Sequence, residues 1–244
     1  MHGPGRRALL DAPAVPVAST ITAGAAMWTW LAGWVASSAL AAIALATSRS
    51  STPAPIPVIA VSLMFGWSAY LVGMVVLSRR AGSGSFVRDY GLSARWVDTL
   101  GVPVGVLCQL VVVPLVYLPL RALWPATFEQ DRLRDTATSL TDRADGPAMV
   151  ALLVVLIVVG APVVEELVYR GLVQRSLTGR FSDLLAWLCT AGLFTLIHFR
   201  PVEYPGLAAF ALIVGAAALL TGRLGPAIAI HVGFNATGLL LAFR

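Results

Sequence analysis

The sequence predicts an all-α fold, a polytopic transmembrane helical bundle of about seven spans, or eight if one amphipathic segment is counted. Three observations carry that expectation. Apolar residues make up 58% of the chain and charged residues only 12%, whereas a soluble domain carries roughly a quarter charged residues. Mean hydropathy is +0.82. The apolar residues are gathered into runs close to the ~20 residues that a helix needs to cross about 30 Å of hydrocarbon. A helix satisfies its own backbone polar groups there. A chain of 244 residues holds such spans with short connections and leaves no room for a soluble domain.

Residues 1–19 contain Pro, Gly, Arg6 and Arg7 and lead into an apolar stretch at 21–46. That stretch is far longer than the ~7 to 15 residues of a signal-peptide core, so it reads as an uncleaved first span. Further runs lie at 56–77, 100–120, 148–168, 184–199, 205–220 and 226–243. The fifth is short for a full span, which fits an end that opens into a polar cavity. Residues 121–146 mix charges with spaced apolar residues and read either as an amphipathic surface helix or as a solvated loop. In the fourth run, Gly160-Ala161-Pro162 should kink the helix or free backbone carbonyls. Such distortions in a membrane face protein or a water-filled cavity, not lipid. The chain divides into N-terminal helices and loops, 1–147, and a core bearing the polar residues, 148–244, within one structural domain.

All 17 basic residues are arginine, which reads as the bias of a bacterial genome and suggests a plasma-membrane protein. The net charge of +5 is spread through the loops, so nucleic acid is not an expected partner. Placing the N-terminus in the cytoplasm puts ten of the 17 arginines on that side, counting Arg170 among them. The positive-inside rule therefore favours this orientation. Cys108 and Cys189 lack the paired spacing of a zinc site or a disulfide framework and read as packing residues.

Against this apolar background, Glu165 and Glu166 are anomalous. Each carboxylate costs about 2.5 to 3.5 kcal/mol at the centre of a spanning helix on insertion scales, so the pair needs partners or a task. Helical spacing sets Glu166 and Arg170 on one face, where they can pair, and rotates Glu165 about 100° away. Adjacent carboxylates in unlike surroundings suit acid–base chemistry. Two histidines, His198 and His231, also lie in apolar runs, and Asn235 shares a helix face with His231. If the chain turns near 179–182, Glu165 and His198 lie at similar depth on antiparallel helices. The depth of His231, close behind Gly225-Pro226, does not follow from spacing.

The motifs Glu165-Glu166-x-x-x-Arg170, Phe194-x-x-x-His198 and His231-x-x-x-Asn235, in this order on successive helices, resemble the CAAX protease and bacteriocin-processing family of intramembrane endopeptidases. This family is also called Abi and is related to the type II CAAX prenyl endopeptidases. The resemblance covers residues 148–244. It implies hydrolysis of a peptide bond inside the membrane, at a site that opens toward the cytoplasm. By position, Glu165 is the general base that activates water with His198. His231 and Asn235 stabilise the oxyanion, and Glu166 with Arg170 holds the surroundings of the first glutamate. The expected partners are a peptide or membrane-protein substrate, lipid-modified or not, and the bilayer itself. A divalent metal stays open as a cofactor, since Glu165, His198 and His231 match a His₂Glu zinc set in kind. Two rivals stand beside this reading. A proton-coupled transporter would spread polar groups along a path, yet the first three runs hold no acidic residue. A noncatalytic membrane scaffold or immunity protein of the same fold would tolerate loss of Glu165.

Overall fold

The computed structural model describes residues 20–48 and 53–243. The N-terminal segment with Arg6 and Arg7 lies outside the described residues, as do Arg49 and Arg244. Eight principal helices follow one another: α1 (Ala23–Thr47), α2 (Ile56–Ala81), α3 (Trp96–Leu123), α4 (Gln130–Thr141), α5 (Gly146–Thr178), α6 (Asp183–Leu196), α7 (Tyr204–Thr221) and α8 (Gly225–Ala242). A short helical turn, Phe86–Tyr90, lies between α2 and α3, and no strand occurs among the described residues. Six of the helices are long and apolar enough to cross a membrane, and α6 is apolar but shorter. The expected all-α polytopic bundle is therefore what forms.

Local signals set the ends of these helices. Thr22 Oγ1 accepts from Ala25 N at 3.3 Å, and Ser182 Oγ accepts from Leu185 N at 3.3 Å, capping α1 and α6. Gly222, with φ 66°, closes α7 in the left-handed region. Pro114 in α3 and Pro162 in α5 are accommodated by widened turns. The hydrogen bonding becomes π-helical over Cys108–Val112, just before Pro114, and over Val154–Gly160, just before Pro162. Proline lacks the N–H and crowds the carbonyl four residues back, and a π-turn relieves both demands without breaking the helix. The expected disturbance at Gly160-Ala161-Pro162 thus takes the form of a widened turn.

Close approaches at glycine hold the bundle together. α1 and α2 form an antiparallel pair in which Gly33 lies against the Tyr70 ring and Ser37 Oγ donates to Gly66 O at 2.8 Å. α3 and α8 meet where Gly101 and Gly105 face the backbone of Pro226 and Ile230, and where Gly233 faces Val102. Small residues let helix backbones touch in a membrane, where lipid supplies little hydrophobic drive between helices.

At one end of the bundle, residues 82–95 meet the α7–α8 connection. Leu224 N donates to Gly91 O at 3.0 Å, Gly225 N donates to Ser93 O at 3.0 Å, and Arg223 pairs with Asp98 at 2.6 Å. Asp89 braces this end by accepting from Ser78 Oγ at 2.6 Å and from Ser83 N at 2.9 Å. Burial works against its charge, but the bonds from Ser78 and Ser83, with Arg88 nearby, hold the carboxyl below its ordinary range. At the opposite end, 121–146 contains the helix α4. It is not a span, and Thr141 Oγ1 ties it to Ala242 O at 3.2 Å. Arg170, counted above with the cytoplasmic loops, belongs instead to the interior of α5 at 2% exposure. The helix continues to Thr178, because Arg170 and Gln174 find hydrogen-bond partners within the bundle.

Candidate active site

α5 supplies the carboxylates and their first partner. Glu166 is fully buried, and its Oε1 accepts from Arg170 Nη1 at 2.9 Å. The spacing of four residues predicts that contact, and it survives the π-helical stretch Leu167–Gln174 in which Arg170 sits. Arg170 Nη2 also donates to Ala211 O of α7 at 3.0 Å, and its guanidinium lies 4.7 Å from the centre of the Phe194 ring. One turn further on, Gln174 Nε2 donates to Gly215 O at 2.9 Å. Two successive polar side chains of α5 thereby tie to two successive turns of α7.

His231 from α8 completes the buried group. Its Nδ1 lies 2.7 Å from Glu166 Oε1. Because that carboxylate already accepts from Arg170, the ring nitrogen is the donor, and the hydrogen-bond network sets the tautomer. Nε2 then faces the other glutamate, 3.9 Å from Glu165 Oε2. The ring is held edge-on against Phe210, with centroids 4.7 Å apart. Its depth, which spacing left open, follows from the tether at Gly91 and Ser93. That tether draws the start of α8 into the bundle, and Leu224 is buried at the level of Gly171.

Glu165 points elsewhere. Its side chain is 31% exposed and lines a cavity of about 470 Å³. His198, in the turn after α6, lines the same cavity. Its Nδ1 sits 2.6 Å from Phe194 O, which fixes the ring over the end of its own helix. The next residue, Phe199, has φ 51°, a costly conformation for an aromatic residue. Its ring packs 6.3 Å from Trp34 of α1. Asn235 does not line the cavity. Its Nδ2 donates to Ile157 O at 2.8 Å, in the widened turn of α5.

Glu165, Glu166, Arg170 and His231 are thus gathered from two helices, with His198 lining the cavity that Glu165 also lines and Asn235 bracing α8 against α5. The sequence alone did not reveal the aromatic residues around them: Phe194 under Arg170, Phe210 against His231, and Trp34, Trp67 and Tyr70 along the cavity. The position of Phe194 four residues before His198 was the one available signal. Among the described residues no group of three His, Cys, Asp or Glu side chains stands ready to hold a metal ion.

Residues 147–237 match the model of a protein family described as type II CAAX prenyl endopeptidase Rce1-like. That stretch is similar to Rce1-like CAAX protease domains. No curated protein and no solved structure gives a significant match to the chain. The matched stretch takes in α5, α6, α7 and most of α8, and therefore all six of the polar residues singled out above. α1 to α4 lie outside it, yet α1 and α2 furnish most of the cavity wall that faces Glu165.

Proposed function

We propose that this protein is an intramembrane endopeptidase that hydrolyses a peptide bond in a membrane-associated or lipid-modified peptide. The observation that carries the reading is the split between the two glutamates. Glu166 is locked to Arg170 and His231 out of reach of the cavity, while Glu165 lines the cavity together with His198. A base must reach its water, and its supporting groups must not move.

In the mechanism we assign, His198 and Glu165 hold a water, and Glu165 takes one of its protons as the oxygen attacks the peptide carbonyl carbon. The tetrahedral intermediate carries a negative oxygen. His231 can donate to that oxygen through Nε2 only when the ring is doubly protonated, because Nδ1 is already committed to Glu166. In that form Glu165, Glu166, Arg170 and His231 sum to zero charge, which suits a site with little solvent. Asn235, which does not line the cavity, supports the His231 donor from behind by tying α8 to Ile157 O. Collapse of the intermediate breaks the C–N bond, and the amine leaves with the proton from Glu165.

We further propose that water activation needs no tightly bound ion. Full activity after exhaustive chelation supports this, whereas stoichiometric zinc lost together with activity overturns it. We place the protein in a bacterial plasma membrane. Membrane proteomes of host cells carrying wild type or Glu165→Gln test the function as a whole. An uncut membrane peptide should accumulate in the variant. Identical proteomes would favour a noncatalytic scaffold.

A further inference from the structure

The cavity does not end at Glu165 and His198. It continues between α1 and α2 from Trp34 and Tyr70 to Leu45 and Ile59, eleven residues along each helix. At 1.5 Å per residue this is a groove of roughly 16 Å, the length of about five residues of extended chain. Apart from Glu165 and His198 at its inner end, no ionisable side chain other than the Tyr70 and Tyr169 phenols lines it. Ser37 and Ser62 do line it, and their hydroxyls already donate to Gly66 O and Val58 O within α1 and α2. Their oxygens therefore keep acceptor capacity but no proton to donate. The farther part is walled by Ala41, Leu45, Ile59 and Leu63.

We propose that this α1–α2 groove is the specificity subsite of the protease, and that it takes an extended, uncharged, apolar peptide segment of about five residues adjoining the scissile bond. The inference rests on the catalytic reading given above. An apolar peptide fits because the groove is continuous with the catalytic pair, and because its serine oxygens match backbone N–H groups that an extended segment leaves unpaired. A charged side chain in the groove would meet no partner and would keep its full desolvation cost. Selection among substrates would then be made by helices outside the matched stretch, while that stretch makes the cut.

The test uses the full-length protein in proteoliposomes and two fluorogenic peptides with the same cleavage core. One is flanked by five apolar residues, and the other carries Lys and Asp within those five. Wild type should prefer the apolar peptide in kcat/KM by tenfold or more, mostly through KM. Ala41→Trp and Ser62→Leu, which fill the groove at two points, should each reduce that preference to threefold or less. A photoreactive apolar peptide added to Glu165→Gln should label α1 near Ala41. Cleavage that depends on Glu165 but shows no preference in wild type, or a preference that survives both substitutions, overturns the subsite alone. Labelling near Ala41 that phospholipid blocks and excess peptide does not would make the groove a lipid seat and also overturns it. Cleavage that persists in Glu165→Gln overturns the catalytic reading itself.

Discussion

Glu166 is a carboxylate with no solvent exposure, and only its two contacts make that tolerable. A buried ion pair adds little net stability, but removing one partner strands the other. Arg170→Met should therefore destabilise the protein by about 3 to 5 kcal/mol, seen as a large fall in the thermal midpoint in detergent. Glu166→Gln combined with Arg170→Met should recover part of that loss. If Arg170→Met melts like wild type, the pair is not a structural brace. The Glu166–Arg170 contact was legible in the sequence, since helical spacing dictates it. The contact from His231 was not, because it depends on how deeply α8 starts, and backbone bonds to Gly91 and Ser93 set that depth. Asn235 shows a similar limit. Its face of α8 was legible, but its partner, Ile157 O, lies in a π-turn that hydropathy does not signal.

The helices show where hydrophobicity is informative and where it stops. The fourth run ends at residue 168 by composition, yet α5 runs on to Thr178. Arg170 and Gln174 look like the end of a span until Ala211 O and Gly215 O are found to receive them. Packing between α3 and α8 was also invisible, because a glycine in an apolar run says nothing about what approaches it. A Cβ on Gly105 would overlap Ile230 O and lie 2.6 Å from Phe234 N. Both atoms belong to backbone, so neither can swing aside. Gly105→Ala should force α3 and α8 apart and cost about 1 to 3 kcal/mol, with His231 displaced as a consequence. Measured stability and activity should fall together. Wild-type values for both would show that the contact is slack.

At the scale of the whole molecule, two expectations pull against each other. With Arg170 removed from the loops, the arginines near the 82–95 end are Arg79, Arg80, Arg88, Arg95, Arg175, Arg180 and Arg223. Those near the other end are Arg121, Arg132, Arg134, Arg143 and Arg200. Seven against five still favours the 82–95 end, and with it the N-terminus, in the cytoplasm. The groove, however, extends from Glu165 toward the α1–α2 connection at the opposite end, whereas the family resemblance implies a cytoplasmic opening. Cysteine labelling in a Cys189→Ala background decides the matter. On the arginine bias, Val87→Cys should react only after the membrane is permeabilised and Ala126→Cys should react from outside. The reverse pattern would turn the outer end of the groove to the cytoplasm. Sequence alone leaves this undecided because the charge bias is small, and because α1 and α2, which form the groove, carry no motif of their own.

In the proposed mechanism Glu165 does the chemistry and Glu166 holds it in place. The most direct test of that mechanism pairs peptide cleavage with thermal unfolding for purified wild type and Glu165→Gln in the same detergent. The expected result is a fall in kcat of at least about 100-fold with a nearly unchanged unfolding midpoint, since Glu165 lines the cavity and its contact with His231 Nε2 is long, at 3.9 Å. Cleavage within a few-fold of wild type in the folded variant would contradict it.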